Sequence, residues 1–442
     1  MVQDQKIWSP FTRQAEDRQP DRTVPAGART RTRRILHVNK FRYRRGGAES
    51  YMLDLAASQR AEGHQVAIFA MEHPDNEPDP NDDLYPARME LNPPPETVGE
   101  RVGTALGVLY RRDARVAMDR MLQRFQPDVV HLHNIYHQLS PSILRPIAKR
   151  SVPAVMTLHD YKLACPTYQF LDHGQICEAC ISRKFGNAVK RRCNQGSLTG
   201  STLSAIELTA HTYLGAYGPI DRFLCPSRFL LQKMAQARVY PDRLRHLPNF
   251  CDVTGIDPAA GPGRGVLYAG RLSAEKGVDT LIDAAALLPA GIDVTIAGDG
   301  PERAELEQRA IRTGVADRVH FRGRVNRDEV HAAMRAAAVV VVPSRWYENQ
   351  PMTILEAFGC ARPVVATHLG GLPELVRDGI TGRLVPHDDP AALARALAEV
   401  VAAESAVAPA DSMGAAARAY TVERSSLRRH LQDLEAIYSE LA

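Results

Sequence analysis

Short apolar segments alternate with helical stretches along the chain from Ile35 onward. The segments form two series, which begin at Ile35, His64, Asp128, Ala154 and Arg222, and at Gly265, Asp293, Arg318, Ala336, Arg362 and Gly382. This alternation is typical of parallel sheets covered by helices on both faces. The two series predict an α/β fold with two Rossmann-like domains that face each other across a cleft.

A segment rich in Pro, Gly and Asp, from Pro248 to Gly263, separates the two series. We therefore predict an N-terminal Rossmann-like domain over residues 33–248 and a C-terminal one over residues 249–420. Residues 1–32 lack a hydrophobic period and are expected to form a disordered arm. The apolar stripe that starts at Leu427 predicts a final helix within residues 421–442, packing back on the N-terminal domain.

Composition is that of a globular protein, with 442 residues, 44% hydrophobic, 24% charged and a net charge of +4. The sequence has no apolar run near the ~18 residues of a membrane span, and its polar N-terminus lacks the apolar core of a secretory signal. We therefore expect a cytoplasmic protein. Basic clusters before the first strand and around residues 184–192 suggest a peripheral contact with the inner face of the membrane.

Two glutamates flank the start of one predicted helix in the second series. The run AAAVVVVP predicts a buried strand, a polar loop with Glu348 follows, and Pro351 suits the first position of a helix. Helical side chains lean toward the N-terminus, so Glu356 is aimed at the helix mouth, where free N–H groups favour phosphate. A carboxylate beside a phosphate site is suited to ribose hydroxyls. For an isolated pair, solvated surface glutamates would be the alternative.

Three more polar loops follow predicted strands of this half. AGRLSAEKG contributes Arg271 and Lys276, GDGP contributes Gly298, Asp299 and Gly300, and FRGRV contributes Arg324 and Val325. Ligands bind outside the carboxyl ends of parallel strands, and paired cations there suit a diphosphate. Taken singly, GRLSAEKG is better explained as a solvated basic loop and GDGP as a simple turn. Together they predict a nucleotide site.

GRLSAEKG, GDGP, ENQPMTILE and GGLPELV resemble the donor-binding domain of retaining glycosyltransferases of family four, which have the two-domain GT-B architecture. The resemblance implies that Glu348 contacts the transferred sugar, that Glu356 holds the ribose, and that Arg271 and Lys276 serve the diphosphate without a metal. The donor-binding residues predicted in this way are Gly46, Gly47, Gly298, Asp299, Gly300, Arg324, Val325, Gln350, Met352, Thr353, Ile354 and Glu356.

Histidines follow two neighbouring strands of the first series. His131, His133 and His137 come with the third strand, and His159 ends the fourth. Only His133 of the first three is expected at the carboxyl end of its strand and facing the cleft, so we predict it as the catalytic histidine. His159 is the second candidate, on the acceptor side. The alternative for each is a hydrogen-bonded structural histidine.

Four of seven cysteines lie in one segment, residues 161–200, with the spacing C-x11-C-x2-C-x12-C. The central C-x2-C has metal-knuckle spacing, so Cys165, Cys177, Cys180 and Cys193 are predicted to hold a structural zinc. Reduced cysteines in a long loop, or an iron–sulfur cluster, are the alternatives. A similar insert occurs in a subset of bacterial glycosyltransferases that this chain resembles, and its position borders the acceptor side.

The predicted function is therefore metal-independent, retaining transfer of a sugar from a nucleotide-diphosphate sugar to a hydroxyl of a glycan, lipid-linked or small-molecule acceptor, as in polysaccharide biosynthesis. No cofactor for catalysis and no nucleic-acid partner are expected. The alternatives are a nucleic-acid-binding protein that uses the Cys/Lys/Arg segment, which leaves the four C-terminal loops unexplained, and a non-catalytic sugar-nucleotide binder.

Overall fold

The computed structural model describes residues 32–90 and 97–441, so the predicted arm lies outside it apart from Thr32. The eight strands that it describes in the first half are β1 (Arg34–Val38), β2 (Gln65–Phe69), β3 (Val129–Leu132), β4 (Ala154–Thr157), β5 (Leu171–Asp172), β6 (Gln175–Ile176), β7 (Arg222–Cys225) and β8 (Leu244–His246). Six of them form a parallel sheet in the order β2-β1-β3-β4-β7-β8, and β5 with β6 forms an antiparallel hairpin.

The second half contains another parallel sheet. Its strands are β9 (Val266–Ala269), β10 (Val294–Ala297), β11 (Val319–Gly323), β12 (Val339–Val342), β13 (Val364–Thr367) and β14 (Gly382–Val385). Their order is β11-β10-β9-β12-β13-β14, with the order reversing beside β9. The predicted fold class is thereby confirmed.

Helices cover both sheets. Those of the first half are α1 (Gly47–Ala61), α2 (Val98–Leu109), α3 (Arg112–Phe125), α4 (Leu144–Lys149), α5 (Gly186–Lys190), α6 (Leu198–Tyr213) and α7 (Arg228–Gln236). Those of the second half are α8 (Val278–Ala285), α9 (Arg303–Arg312), α10 (Arg327–Ala336), α11 (Met352–Gly359), α12 (Leu372–Leu375), α13 (Pro390–Ala406), α14 (Met413–Arg424) and α15 (Leu427–Ser439). None of the helices in the described residues is long and apolar enough to cross a membrane.

The last helix, α15, lies against the first sheet. Its buried Leu434, Ile437 and Tyr438 share one apolar cluster with Ile35 of β1 and other residues of the first half. At the rim of this contact Arg33 donates to Glu435 at 2.9 Å. The helix thus covers apolar surface of the first sheet that would otherwise face water.

Candidate active site in the cleft

A cavity of about 240 Å³ lies between the two halves. Loops at the carboxyl ends of strands line it from both sides, as expected for parallel sheets. Its lining residues are Gly47, Ala48, His159, Asp160, Tyr161, Asn249, Lys276, Trp346, Tyr347, Glu348, Asn349, Gln350, Pro351, Met352 and Thr353. Two larger cavities, of about 480 and 590 Å³, contain none of the predicted site residues.

The glycine loop before α1 approaches the start of α11 across this cavity. A Cβ added at Gly47 would lie 3.8 Å from Met352 Cγ. The backbone N–H groups of Met352 and Thr353 donate to no acceptor in the described part of the chain, whereas Ile354 N–H donates to Pro351 O at 3.2 Å. Two free amides at a helix N-terminus form a site for an anion. The Ile354 side chain is fully buried, so it does not line this site.

Glu348 is buried beside a cation. Its Oε1 accepts from Lys276 Nζ at 2.7 Å and from Ser344 Oγ at 2.7 Å. Burial disfavours the carboxylate, but the Lys276 charge and these hydrogen bonds outweigh burial and lower the pKa of Glu348 below its ordinary value. Glu348 is therefore ionised at neutral pH.

The loop that carries Glu348 is held by close backbone contact with the GGLPELV segment. Gly370 has φ +59°, and a Cβ there would lie 2.3 Å from Glu348 O. Gly371 N–H donates to the same carbonyl at 2.7 Å. A side chain at Gly370 would displace this loop, so the glycine pair positions Glu348.

The glycines of the GDGP turn likewise allow close backbone contact, here with the loop that carries Arg271. A Cβ at Gly298 would lie 1.8 Å from Gly270 O, and one at Gly300 would lie 2.2 Å from Leu272 O. Neither glycine lines the cavity. Arg271, Asp299 and Arg324 are exposed and outside the set of cavity-lining residues, and Asp299 Oδ1 accepts from Gly300 N–H at 2.9 Å. Val325 instead packs partly buried against the core.

Glu356 lies in the second turn of α11, outside the set of cavity-lining residues. Its Oε1 is 3.8 Å from Arg327 Nε and 3.9 Å from His331 Nε2. Arg327 also reaches Asp54 of α1, at 3.1 Å. Glu356 is thus one turn beyond the free amides and next to an ionic contact between the halves. Arg327 and His331 were not predicted as site residues, because neither belongs to a recognisable sequence motif.

Amide side chains also connect the halves at the cavity. Asn249 N–H donates to Gln350 Oε1, and Asn249 Nδ2 donates to Gln350 O at 3.1 Å. Asn349 Nδ2 donates to Leu158 O at 3.1 Å, and its Oδ1 accepts from Ser227 Oγ at 2.7 Å. Gln350 therefore has a structural role at the cavity wall. Asn249 and Asn349 were not predicted, because single asparagines in loops give no specific sequence signal.

The structure places the two candidate histidines at different depths, and their roles stay predictions. His133 is fully buried, and its ring stacks between those of His131 and His159. His133 does not line the cavity, whereas His159, at the end of β4, does. The strand alternation correctly placed His131 and His133 on one side of β3, but that side is enclosed. His159 is the histidine that a ligand in the cavity can contact.

The four insert cysteines have free thiols in one region of the first half. Cys165 and Cys180 are buried, and Cys177 and Cys193 are partly exposed. Among these four, no three sulfurs lie within 4.8 Å of one another. Zinc with four thiolates at 2.3 Å needs sulfurs about 3.8 Å apart, so the predicted zinc site is not formed in this arrangement and stays a prediction.

Two glycosyltransferase sequence families match the chain in succession. Residues 45–254 match "Glycosyltransferase Family 4", and residues 263–403 match "Glycosyl transferases group 1". A D-inositol 3-phosphate glycosyltransferase of Mycolicibacterium gilvum is 43% identical over 156 residues, 34% of each chain. A 2-deoxystreptamine N-acetyl-D-glucosaminyltransferase of Streptomyces fradiae is 30% identical over 288 residues, 63% of each chain. The chain thus spans about a third of the length of the first of these relatives.

Solved structures with the same fold cover almost the whole chain. Sucrose-phosphate synthase from Thermosynechococcus elongatus has a TM-score of 0.67 at 20% identity, over 92% of this chain and 98% of that one. HepE of Anabaena, in complex with UDP and glucose, has a TM-score of 0.62 at 20% identity, over 92% of this chain and 100% of that one. At this identity the similarity shows the fold alone.

Proposed function

We propose that the chain, whose residues 45–254 and 263–403 match two glycosyltransferase family models, is a metal-independent, retaining glycosyltransferase. It moves a sugar from a nucleotide-diphosphate sugar to a hydroxyl group of a glycan, lipid-linked or small-molecule acceptor. The observation that carries the proposal is the cavity where Gly47 of one half faces the free amides of Met352 and Thr353 of the other.

In this proposal the diphosphate lies at the start of α11, where the two amides and the helix dipole favour negative charge. Glu356, one turn further on, holds the ribose. Glu348 faces the transferred sugar as a carboxylate, and Lys276 stabilises the charge that develops on the departing diphosphate. Arg271, exposed in the loop after β9, supplies a second cation. These side chains would provide the positive charge that a metal provides in other sites.

Relatives support this class of reaction. Their names describe transfer of sugars to D-inositol 3-phosphate and of N-acetyl-D-glucosamine to 2-deoxystreptamine, and the neighbour HepE was crystallised with UDP and glucose. UDP-sugars are therefore the first donors to test, with small polyhydroxylated acceptors. The alternative of nucleic-acid binding gains no support from these relatives.

We also propose that the cysteine insert binds a structural zinc when the metal is present. Burial raises the pKa of Cys180 to about 12 and that of Cys193 to about 11, so both are neutral thiols without a cation. Zinc would convert them to thiolates and draw the four sulfurs together.

Peripheral membrane contact through the basic clusters is a separate proposal, tested by co-sedimentation with anionic vesicles.

A thermal-shift panel of sugar nucleotides tests donor binding, because a ligand of the native state raises its stability by RT ln(1 + [L]/Kd). We expect one UDP-, GDP- or ADP-sugar to raise the midpoint more than its free nucleotide does. Consumption of that donor, with release of the nucleotide only when an acceptor is supplied, separates a transferase from a silent binder. If no sugar nucleotide shifts the midpoint, the proposed function is wrong.

A further inference from the structure

The carboxylate of Glu178 joins the cysteine insert to the loop that carries Glu348. Glu178 lies between Cys177 and Cys180, and its Oε1 accepts from the Tyr347 hydroxyl at 2.8 Å. Tyr347 comes directly before Glu348 in the chain and lines the cavity. The insert belongs to the first half and Tyr347 to the second, so this hydrogen bond crosses from one half to the other.

Tyr347 and Glu348 are coupled because they share a three-residue turn. Glu348 N–H donates to Trp346 O at 2.9 Å, which closes the turn with Tyr347 at its centre. On the other side of the loop, Glu348 O accepts from Gly371 N–H at 2.7 Å. A displacement of the Tyr347 ring would therefore change the direction of the Glu348 side chain.

The ring of Tyr347 fills a recess in the first half. It meets the Phe229 ring of α7 edge to face, with the ring centroids 4.7 Å apart. The rings of Tyr161 and Phe170 lie 6.4 and 6.3 Å away, and both are almost fully buried in the core of the first half. Packing thus holds the Tyr347 ring, while Glu178 sets the direction of its hydroxyl.

The Glu178 carboxylate is itself held in place. Lys233 Nζ of α7 donates to the same Oε1 at 2.6 Å and lies 5.5 Å from the centroid of the Tyr347 ring. In the backbone, Ile181 N–H donates to Glu178 O at 3.0 Å, and Asn187 Nδ2 of α5 donates to the next carbonyl at 2.8 Å. The acceptor for Tyr347 is therefore fixed by α5, by α7 and by its own turn.

The position of α7 is set by a second contact with the other half. The Glu374 carboxylate, in the GGLPELV segment, accepts from Arg228 N–H at 2.8 Å and from Phe229 N–H at 2.7 Å. These amides have no partner within the helix, and a carboxylate there also complements the helix dipole. Because the same segment braces the loop of Glu348, α7 and that loop keep a fixed relation.

We propose that Glu178 is a positioning residue, which acts through Tyr347 to hold Glu348 toward the transferred sugar. The role of Glu348 rests on the proposed transferase function, but the effect of Glu178 on the loop does not, so the two can fail separately. The cysteine insert thereby serves the donor side of the cleft as well as the acceptor side. A structural change at Cys177 or Cys180 would reach Glu348 by this route.

The fluorescence of Trp346, which lies in the same turn, tests the position of the loop without any substrate. Trp8, outside the described residues, is the only other tryptophan of the sequence, so Trp8→Phe leaves Trp346 as the single reporter. In this background we expect Glu178→Ala and Tyr347→Phe each to shift the emission to longer wavelength and to increase quenching by acrylamide. Tyr347→Phe keeps the ring and its packing, so it should fold even if Glu178→Ala does not. Glu178→Gln keeps an oxygen that can accept from Tyr347 and should stay close to the native values.

Steady-state kinetics tests the effect on the reaction, with the donor that the thermal-shift panel identifies. Glu178→Ala and Tyr347→Phe should each lower kcat about tenfold. The Kd for the nucleotide should stay unchanged, because the nucleotide is placed at α11 and not at Glu348. The double variant should lose about as much as either single variant, since both remove the same hydrogen bond. Glu178→Gln should recover most of kcat, which a loss of overall stability would not explain.

Asp119→Ala is the matched control. Asp119 pairs with Arg150 at 2.8 Å within the first half, and its side chain is 39% exposed, compared with 32% for Glu178. It should leave Trp346 fluorescence and kcat unchanged. Native fluorescence or native kcat in both Glu178→Ala and Tyr347→Phe would overturn the proposal. If no sugar nucleotide binds, the transferase function is wrong, and the fluorescence still decides whether Glu178 holds the loop.

Discussion

The ammonium group of Lys276 lies 2.7 Å from Glu348 Oε1 and joins the loop after β9 to the loop after β12. The cation proposed for the leaving group is therefore paired, before any donor binds, with the carboxylate proposed for the sugar. The side chain of Glu348 is 7% exposed, so the pair is largely shielded from solvent screening.

Replacing Lys276 with Met would leave the Glu348 carboxylate buried without its cation. We expect the free energy of unfolding to fall by about 3 kcal/mol at neutral pH, measured by urea denaturation. The lowered pKa of Glu348 stabilises the native protein above the ordinary carboxylate pKa, and this stabilisation is lost as pH falls through the lowered value. The difference in the free energy of unfolding between the native protein and Lys276→Met should therefore become smaller toward low pH.

Two controls accompany this prediction. Lys276→Arg keeps the charge and should lose less stability. Adding Glu348→Gln to Lys276→Met removes the buried charge and should recover part of the loss. If Lys276→Met loses the same free energy of unfolding at all pH values, the loss does not come from the ion pair between Lys276 and Glu348.

Arg271→Ala should separate activity from stability, because the side chain is exposed. We expect turnover in EDTA to fall while the unfolding midpoint stays unchanged. The native enzyme should remain active in EDTA, unless the chelator removes a structural zinc. Activity that is abolished by EDTA and restored by magnesium would contradict the metal-independent mechanism.

Glu356→Gln should weaken nucleotide binding without unfolding the protein. Loss of one charge-assisted hydrogen bond, about 1.5–3 kcal/mol, predicts a Kd for UDP at least tenfold higher by calorimetry. Glu305→Gln, on the exposed face of α9, is the control and should bind as the native protein does. If all three proteins bind UDP with equal affinity, Glu356 does not contact the ribose.

Gly47→Ala tests whether the glycine loop leaves room for a diphosphate. The added methyl would lie 3.8 Å from Met352 Cγ, an ordinary contact, so the fold should tolerate it. It would occupy space at the free amides, and we expect about tenfold weaker donor binding. Gly103→Ala, where a Cβ meets nothing within 4 Å, should leave affinity unchanged. Native affinity in Gly47→Ala would contradict this diphosphate position.

Elemental analysis tests the cysteine insert. Protein purified without chelators should contain about one zinc per chain, and Cys180→Ser should lose the zinc and acceptor-dependent transfer while donor binding persists. Cys225→Ser, at a buried cysteine of β7, should keep the metal. Native protein with neither zinc nor iron would exclude a metal in this insert.

Sequence reasoning was most reliable where local pattern determines structure. Runs such as VVVV at residues 339–342 are apolar throughout because both faces of a parallel sheet are covered, and every strand of the second sheet was predicted. In contrast, β8 was missed, because it has three residues and its only apolar residue is Leu244.

The site was harder to predict because it depends on contacts between distant segments. Alternation along β3 put His131 and His133 on one side of the strand, but could not show that Tyr51 of α1 packs against the His133 ring or that Tyr438 of α15 bonds to His131. Gly298 was predicted to belong to a phosphate-binding turn, and the sequence could not show its close backbone contact with Gly270. Neither relationship has a local signal, since each depends on which segments the fold brings together.

The contact of α15 with the first sheet also bears on how the chain is made. Arg33 and Glu435 are 402 positions apart, and Ile35 shares its apolar cluster with Tyr438. At roughly 5–20 residues per second, translation leaves that surface of the sheet uncovered for about 20–80 s. Ribosome-bound chains lacking α15 should therefore engage a chaperone, detectable by crosslinking, until the final helix emerges and releases it.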